Sequence, residues 1–206
     1  LQVAAAALAL AGTSGGAFDP TVGPLVARWG FGPIRDGGLP GPSALWPEGN
    51  GLVKDVAGAT LDLCGIAKGR ALDRAAALAR GLGHRAALID LGGELTAIGR
   101  HPSGRDWQVA VEDGRGAAEH AAVMRLPDGL SVASSGQRHQ SYIVGDRAYG
   151  HIIDPARAAP ATGHLTAVSV LHPSAMMADG WATALFAAGA ATGPALARRA
   201  GLSALF

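Results

Sequence analysis

The longest apolar stretch of the 206-residue chain lies near its C-terminal end and has the character of a helix. Ser174, a residue type that often caps helices, precedes it, and Gly189 is placed to end it. Apolar residues occupy nearly every side of this predicted helix, which is typical of a helix buried in a protein interior. Asp179 and Thr183 interrupt the pattern. Because they stand four residues apart, both project from one face, one turn from each other.

A buried carboxylate needs a partner, and no cationic side chain lies within one turn of Asp179 on this helix. One carboxylate and one hydroxyl suit a hard divalent cation of the magnesium type, which takes its other ligands from water and phosphate. An alternative stays open. Asp179 could pair with an arginine, and Thr183 could bond to a carbonyl of its own helix.

A second helix is predicted from Ala67 to about Leu82, because the apolar spacing there is helical and glycines close the segment. A glycine turn precedes it, and a helix terminus of this kind exposes N–H groups that suit phosphate oxygens. Lys68 lies in the first turn, where the helix dipole favours acidic residues. It is either part of a phosphate site or a solvated lysine. The spacing of a phosphate-binding P-loop is absent.

Short apolar or alternating runs predict the strands. They lie at residues 53–63, 85–91, 95–100, 107–112, 121–126, 130–136 and 165–171, with a hairpin about residues 145–146. The strand at 85–91 is expected to be buried, and it delivers Gly92-Gly93-Glu94 at its end. A double glycine there lets a ligand approach the backbone closely, although such turns are also common between strands. His151 lies between Gly150 and two isoleucines, so it is either a core histidine or a catalytic one.

Three further segments can be assigned from the sequence. Residues 1–11 resemble the core of a signal peptide but lack a basic region, so an Ala-rich helix is predicted. Residues 30–51 are expected to form a surface loop, and residues 193–200 a short last helix. With 49% apolar residues, 16% charged residues and a net charge of +1, the chain has no electrostatic case for binding nucleic acid or an anionic membrane. A single cysteine, Cys64, excludes an internal disulfide. No run approaches transmembrane length.

Six blocks follow one another along the chain. They are Gly-Ala-Phe-Asp-Pro-Thr-Val-Gly-Pro-Leu (16–25), Gly-Ile-Ala-Lys-Gly-Arg-Ala-Leu-Asp (65–73), Asp-Leu-Gly-Gly-Glu (90–94), Ser-Ser-Gly (134–136), His-Ile-Ile-Asp-Pro (151–155) and Ala-Met-Met-Ala-Asp-Gly-Trp-Ala-Thr-Ala-Leu-Phe (175–186). In this order they resemble the ApbE family of magnesium-dependent FAD:protein FMN transferases, over residues 14–189.

The resemblance implies an α+β fold, with antiparallel sheets packed against helices in a T-fold-like architecture. Residues 1–206 would form a single domain that lacks part of the usual N-terminal region, as a fragment or a short variant. The implied activity is transfer of FMN from FAD to a Ser or Thr hydroxyl of a target flavoprotein, with release of AMP. Two alternatives remain, an FAD pyrophosphatase that gives FMN and AMP, and a non-catalytic FAD-binding protein. Many family members are exported or periplasmic, but no export signal is visible here.

The resemblance also implies the site residues. Mg²⁺ would be held by Asp179, Thr183 and the backbone carbonyl near Ala67. His151 would contact the flavin and take the proton of the acceptor hydroxyl. The remaining residues implied in FAD binding are Lys68 at the phosphates, Asp73 at a polar edge of the cofactor, Gly92, Gly93 and Glu94 along the cleft, and Ile152 beside His151.

Overall fold

The computed structural model describes residues 1–112, 120–138 and 140–206 and shows an α+β fold, as predicted. The helices are α1 (Gln2–Thr13), α2 (Gly23–Arg28), α3 (Ala67–Gly81) and α4 (Ala175–Arg199). The strands are β1 (Leu45–Glu48), β2 (Gly51–Lys54), β3 (Ala87–Leu91), β4 (Glu94–Ile98), β5 (Trp107–Glu112), β6 (His120–Leu126), β7 (Ser131–Gly136), β8 (Ser141–Val144), β9 (Arg147–Gly150), β10 (Ile153–Asp154), β11 (Ala159–Pro160), β12 (Ala167–His172) and β13 (Ser203–Leu205). In these ranges, no helix is long and apolar enough to span a bilayer.

The main sheet has the strand order β13-β12-β7-β4-β3, and every neighbouring pair is antiparallel. Helix α4 packs on β7 and β12, and α3 packs on α4 and β4. Side chains alternate across a strand, so Val168 and Val170 of β12 join the core under α4. The other face of the sheet packs on the β5–β6 hairpin through Ala97, Val109, Leu126 and Val132. The sheet therefore has an apolar layer on each side.

Helix α4 confirms the prediction of a capped and buried helix. The Ser174 hydroxyl accepts a hydrogen bond from the backbone N–H of Met177 at 3.4 Å. Leu185 and Phe186 are fully enclosed in the core. At Gly189 the backbone leaves the helical region, with φ of 75°, and helical residues then continue to Arg199. The predicted last helix is the part of α4 that follows this break.

The strand predicted as buried at residues 85–91 is wrong in its placement. It forms β3, which is the outermost strand of the sheet, and Asp90 and Leu91 are exposed. A continuous apolar run is typical of a central strand. In the structure, β3 packs against α3 on one face of the sheet. Along its outer edge, no strand of the described residues pairs with β3.

The N-terminal part of the chain differs most from the prediction. Helix α1 confirms the Ala-rich helix, but the loop expected at 30–51 contains β1, which pairs with β2 in a hairpin. The strand predicted at 53–63 ends at Lys54. Beyond it, Ala59 forms a small apolar cluster with Ala44 and Leu45, and Leu61 and Leu8 of α1 pack against this cluster. The helix α2 and the last strand β13 were not predicted, because both are short and lack a clear apolar period.

Candidate functional site

A single large cleft brings the predicted site residues together. Its volume is about 1150 Å³, which is above the ~300–1,000 Å³ usual for small-molecule sites and leaves room for a dinucleotide. The start of α3, the middle of α4, the β3–β4 turn, the end of β7 and the segment after β9 form its walls. All the predicted residues except Asp73 line it, namely Ala67, Lys68, Gly92, Gly93, Glu94, His151, Ile152, Asp179 and Thr183.

Asp179 is 3% exposed and points from α4 toward the start of α3. Its Oδ2 accepts a hydrogen bond from the backbone N–H of Gly69 at 2.9 Å. Glycine is needed at that position, since a Cβ there would lie 2.2 Å from the carbonyl oxygen of Ala175. The contact therefore depends on the close crossing of α3 and α4. Among the described residues no arginine pairs with Asp179, so the alternative of an arginine partner is wrong.

The environment of Asp179 favours its neutral form. Burial is the largest cause, and it raises the pKa of this carboxyl to about 6. The hydrogen bond from Gly69 opposes the rise, the negative charge of Glu94 adds to it, and the charge of Lys68 opposes it. A carboxylate held in this way gains free energy from any cation that binds beside it, because the cation offsets the desolvation of the charge.

Thr183 lies one turn further along α4 and faces the same region. Its hydroxyl lies 3.2 Å from the Ser135 hydroxyl and donates to the Gly65 carbonyl oxygen at 3.4 Å. It does not bond to its own helix, so that alternative is wrong as well. Gly65 allows this approach, since a Cβ there would lie 3.0 Å from the Thr183 Oγ1. This part of the cleft thus contains a carboxylate, two hydroxyls and a backbone carbonyl, all of which offer oxygen donors.

This donor set fits magnesium. Hard divalent cations of this type bind oxygen, and they usually keep several waters and take phosphate oxygens instead of a full protein cage. No group of three His, Cys, Asp or Glu side chains converges on a metal position in the ranges described. Asp179 is thus the one charged ligand in this set. The Gly65 carbonyl and the Ser135 hydroxyl were not predicted as ligands, and both are brought close by tertiary contacts alone.

Lys68 is predicted either at the phosphates or in solvent, and in the structure its side chain pairs with Glu94. Its ammonium lies 2.5 Å from Oε1 of Glu94, whose side chain is 2% exposed, while the Lys68 side chain is 51% exposed. The second oxygen, Oε2, is buried and has no hydrogen-bond partner in the described residues. A buried acceptor without a donor is costly, so this atom is suited to accept from a ligand. Lys68 keeps its other N–H donors available on the cleft side.

The double glycine forms the predicted tight turn. Leu91 pairs with Glu94, which leaves Gly92 and Gly93 as the two residues of the β3–β4 hairpin loop. Their φ angles are 66° and 97°, a region that only glycine adopts freely. The Asp90 carboxylate accepts from the Gly93 N–H at 2.9 Å and fixes the turn. The turn places its backbone in the cleft wall and leads directly to Glu94.

His151 lies on the wall formed by the segment after β9. Its backbone N–H donates to the Gln140 carbonyl at 3.2 Å, and its Nδ1 lies 3.3 Å from the same oxygen. Burial lowers its pKa, the Gln140 contact opposes this, and the charge of Lys68 lowers it further. The imidazole is therefore neutral at neutral pH. With Nδ1–H directed at the carbonyl, Nε2 carries the lone pair. Ile152, the next residue, is buried and forms the floor of the cleft.

Asp73 is predicted at a polar edge of the cofactor, but it is not among the described residues that line the cleft. Its carboxylate accepts from the Ser174 hydroxyl at 2.8 Å and from the backbone N–H groups of Ala175 at 2.7 Å and Met176 at 3.2 Å. These donors form the N-terminus of α4, where a negative charge is favoured by the helix dipole. Asp73 therefore ties α3 to α4 and supports the site from outside.

The charges that line the cleft are unbalanced. Among the described lining residues, two are basic, Lys68 and Arg138, and each pairs with a glutamate. The acidic ones are Asp19, Asp62, Asp90, Glu94, Glu112 and Asp179. A diphosphate brought into such a cleft would be repelled unless a cation accompanies it. The sequence alone does not predict this excess, because the six acids come from five separate segments of the chain.

The fold and the cleft define an α+β protein with a dinucleotide-sized acidic site, whose oxygen atoms are of the kind that suits a hard cation. The model of the ApbE family matches residues 1–206, and the chain belongs to this family. It is 34% identical to the FAD:protein FMN transferase of Vibrio cholerae, over 96% of this chain and 63% of the relative. It is also 34% identical to the protein of that name from Haemophilus influenzae, over 91% of this chain and 60% of the relative.

A solved structure gives the same result for the fold. The flavinyl transferase ApbE of Pseudomonas stutzeri, in its apo form, superposes with a TM-score of 0.85 at 36% identity, over 98% of this chain and 67% of that one. The α+β prediction and the family resemblance are thus confirmed. The chain spans 63% and 60% of the two curated relatives, which leaves more than a third of each outside the comparison.

Proposed function

We propose that this chain transfers the FMN part of FAD to a Ser or Thr hydroxyl of a target flavoprotein, in a magnesium-dependent reaction that releases AMP. The observation that carries the proposal is the position of Asp179. It is a buried carboxylate without a cationic partner among the described residues, and it lies in a dinucleotide-sized cleft with Thr183. The names of the relatives supply the substrate class.

Asp179, Thr183 and a backbone carbonyl at Gly65 or Ala67 would hold Mg²⁺. When bound, Mg²⁺ would neutralise the diphosphate and draw charge from the bond that breaks. The excess of acidic side chains in the cleft agrees with this requirement, since the protein supplies little positive charge of its own. Lys68 would keep an N–H donor for a phosphate oxygen while Glu94 holds its ammonium in place.

His151 would take the proton of the acceptor. The hydroxyl oxygen of the target attacks the phosphorus of the FMN half, a new P–O bond forms, and the P–O bond to AMP breaks. The proton of that hydroxyl passes to Nε2 of His151, whose lowered pKa leaves it unprotonated at neutral pH. The Gly92–Gly93 turn would let the cofactor lie against the backbone, and the unpartnered Oε2 of Glu94 would accept an N–H of a ligand.

The test is incubation with FAD, Mg²⁺ and a target flavoprotein domain, followed by denaturation. Flavin fluorescence that stays with the denatured target, together with one AMP per flavin attached, is the expected result. Soluble FMN and AMP without attached flavin would identify the pyrophosphatase alternative. Tight FAD binding with no AMP would identify a non-catalytic binding protein. Either outcome would overturn the proposed transfer.

A further inference from the structure

Four aromatic rings stack beside the cleft, and none of them belongs to the residues discussed so far. Phe31 stacks on Tyr142 with ring centroids 5.4 Å apart, Tyr142 on Tyr149 at 5.8 Å, and Tyr149 on Trp29 at 5.6 Å. The planes of each pair are within 22° of parallel. We call this set the four-ring stack. Stacked aromatic pairs are stabilising, so these contacts favour the arrangement in which the four rings stay together.

The stack joins two segments that are distant in sequence. Tyr142 and Tyr149 are cross-strand partners on the β8–β9 hairpin. Trp29 and Phe31 flank Gly30, which has a φ of 86°, just after α2. The two outer rings of the stack thus come from one turn and the two inner rings from the hairpin. The hairpin tyrosines therefore lie between the two aromatic side chains of the turn.

One end of the stack reaches His151. The ring of Phe31 meets the imidazole edge to face, with centroids 6.2 Å apart and an angle of 65° between the planes. Phe31 lines the cleft together with His151 and Gln140. His151 follows β9 directly and Gln140 precedes β8, so the open end of the hairpin carries both. A contact that fixes the hairpin therefore fixes the imidazole and the carbonyl that it faces.

We infer that Phe31 is a positioning residue for His151. This inference rests on the proposed function, in which Nε2 of His151 receives the acceptor proton. The Nδ1 contact with Gln140 is long, at 3.3 Å, and a histidine ring turns easily about its last side-chain torsion. Phe31 supplies the second contact that stops this rotation. Tyr142, stacked behind Phe31, prevents it from moving away.

The charge of Lys68 lowers the pKa of His151, because it is of the sign that repels a protonated imidazole. The aromatic contact is directional, because the edge of one ring prefers the face of the other. The geometry thus separates two roles, with Lys68 acting on the protonation of His151 and Phe31 on its orientation.

The experiment compares Phe31→Leu, which removes the ring, with Phe31→Tyr, which keeps it, in the full chain. Ile143→Ser is the matched control, because Ile143 lies beside Tyr142 on β8 but is 74% exposed. Steady-state transfer gives kcat and KM for FAD. NMR of the imidazole nitrogens gives the tautomer and the pKa of His151 without any turnover. Tyr142→Leu is the second variant, should Phe31→Leu fail to fold.

Loss of one aromatic contact on the proton acceptor is expected to lower kcat roughly three- to tenfold, with KM for FAD little changed. The NMR signals should show a mixture of the two tautomers and a higher pKa, since the imidazole becomes more exposed to water. Phe31→Tyr should restore kcat, tautomer and pKa, and Ile143→Ser should leave them unchanged.

A change confined to KM would mean that Phe31 only lines the cleft, and an unchanged tautomer and pKa would mean that it does not orient His151. Either would overturn the inference. If the wild-type chain transfers no flavin, the proposed function fails, but the NMR comparison still decides whether Phe31 orients the imidazole.

Discussion

Replacing Asp179 with asparagine tests the central feature of the site, the buried carboxylate that we propose as a ligand of Mg²⁺. Asparagine has nearly the same shape, and its side-chain oxygen can still accept from the Gly69 N–H. The substitution therefore removes the charge and exchanges one carboxylate oxygen for an NH₂ group. In the wild-type protein, burial raises the pKa of this carboxyl from 3.8 to about 6. The folded state without metal thus holds a proton more tightly than the unfolded state does.

The sign of the stability change follows from that difference. Above about pH 6 both states are ionised, and the full penalty of the buried charge acts on the folded state. A shift of this size corresponds to about 3 kcal/mol. As the pH falls from 6 toward 4, the folded state takes up its proton and the penalty disappears. Without metal, Asp179→Asn should therefore raise the free energy of unfolding at about pH 8 by up to ~3 kcal/mol.

Thermal unfolding at several pH values, with EDTA and then with Mg²⁺, measures this effect. For a chain of this size, ~3 kcal/mol corresponds to a rise in Tm of roughly 6–12 °C at alkaline pH, and the rise should shrink on acidification. Mg²⁺ should raise the Tm of the wild type but not of Asp179→Asn, which should also lose flavin transfer. Asp55→Asn, which removes an exposed carboxylate, is the control for net charge. A variant that is less stable without metal, or that still gains stability from Mg²⁺, would refute the reasoning.

Three further predictions concern the support of the site. Asp73→Ala should lower the free energy of unfolding, measured with urea, by about 1–2 kcal/mol, because the N-terminus of α4 loses its cap. The KM for FAD of the folded variant should be unchanged. A raised KM at unchanged stability would instead place Asp73 at the cofactor. Gly69→Ala should lower the free energy of unfolding by about 1–3 kcal/mol, because the new Cβ would meet the Ala175 carbonyl. Gly81→Ala has open space around its Cβ and should leave that free energy unchanged or raise it. Equal effects of the two substitutions would contradict the close crossing of α3 and α4. The Cys64 side chain is exposed, but partial desolvation and the neighbouring Asp62 carboxylate raise the pKa of its thiol to about 11. Alkylation at about pH 8 should therefore be at least tenfold slower than for a cysteine in an unfolded peptide, and an equal rate would contradict this.

Local pattern predicted much of the site. The spacing of Asp179 and Thr183 put them on one face of a buried helix, and the structure has both in one cleft. The helical spacing of apolar residues after the glycine turn predicted a helix from Ala67 to about Leu82, and α3 spans Ala67–Gly81. The Gly92–Gly93 turn was also predicted, since two glycines between strands require little more than their own sequence to form it.

What could not be predicted depends on contacts between distant parts of the chain. The Asp73 carboxylate bonds to residues more than 100 positions away, and nothing in its own helix indicates whether it meets a cofactor or a second helix. Glu94 was expected to line the cleft, but its pairing with Lys68 requires the start of α3 to lie over β4. Strand β3 was misplaced for the same reason, because its position at the sheet edge follows from the strand order and not from its composition.

The last strand, β13, protects one edge of the main sheet. After α4 ends at Arg199, the chain passes through a turn at Gly201, whose φ is 66°, and β13 pairs with β12 through Ser169, Val170 and Leu171. Without β13, the backbone N–H and C=O groups of β12 along that side would face water and could recruit a strand from another molecule. Removal of residues 203–206 should thus leave the edge of β12 unpaired and promote aggregation, although every residue of the cleft is still present.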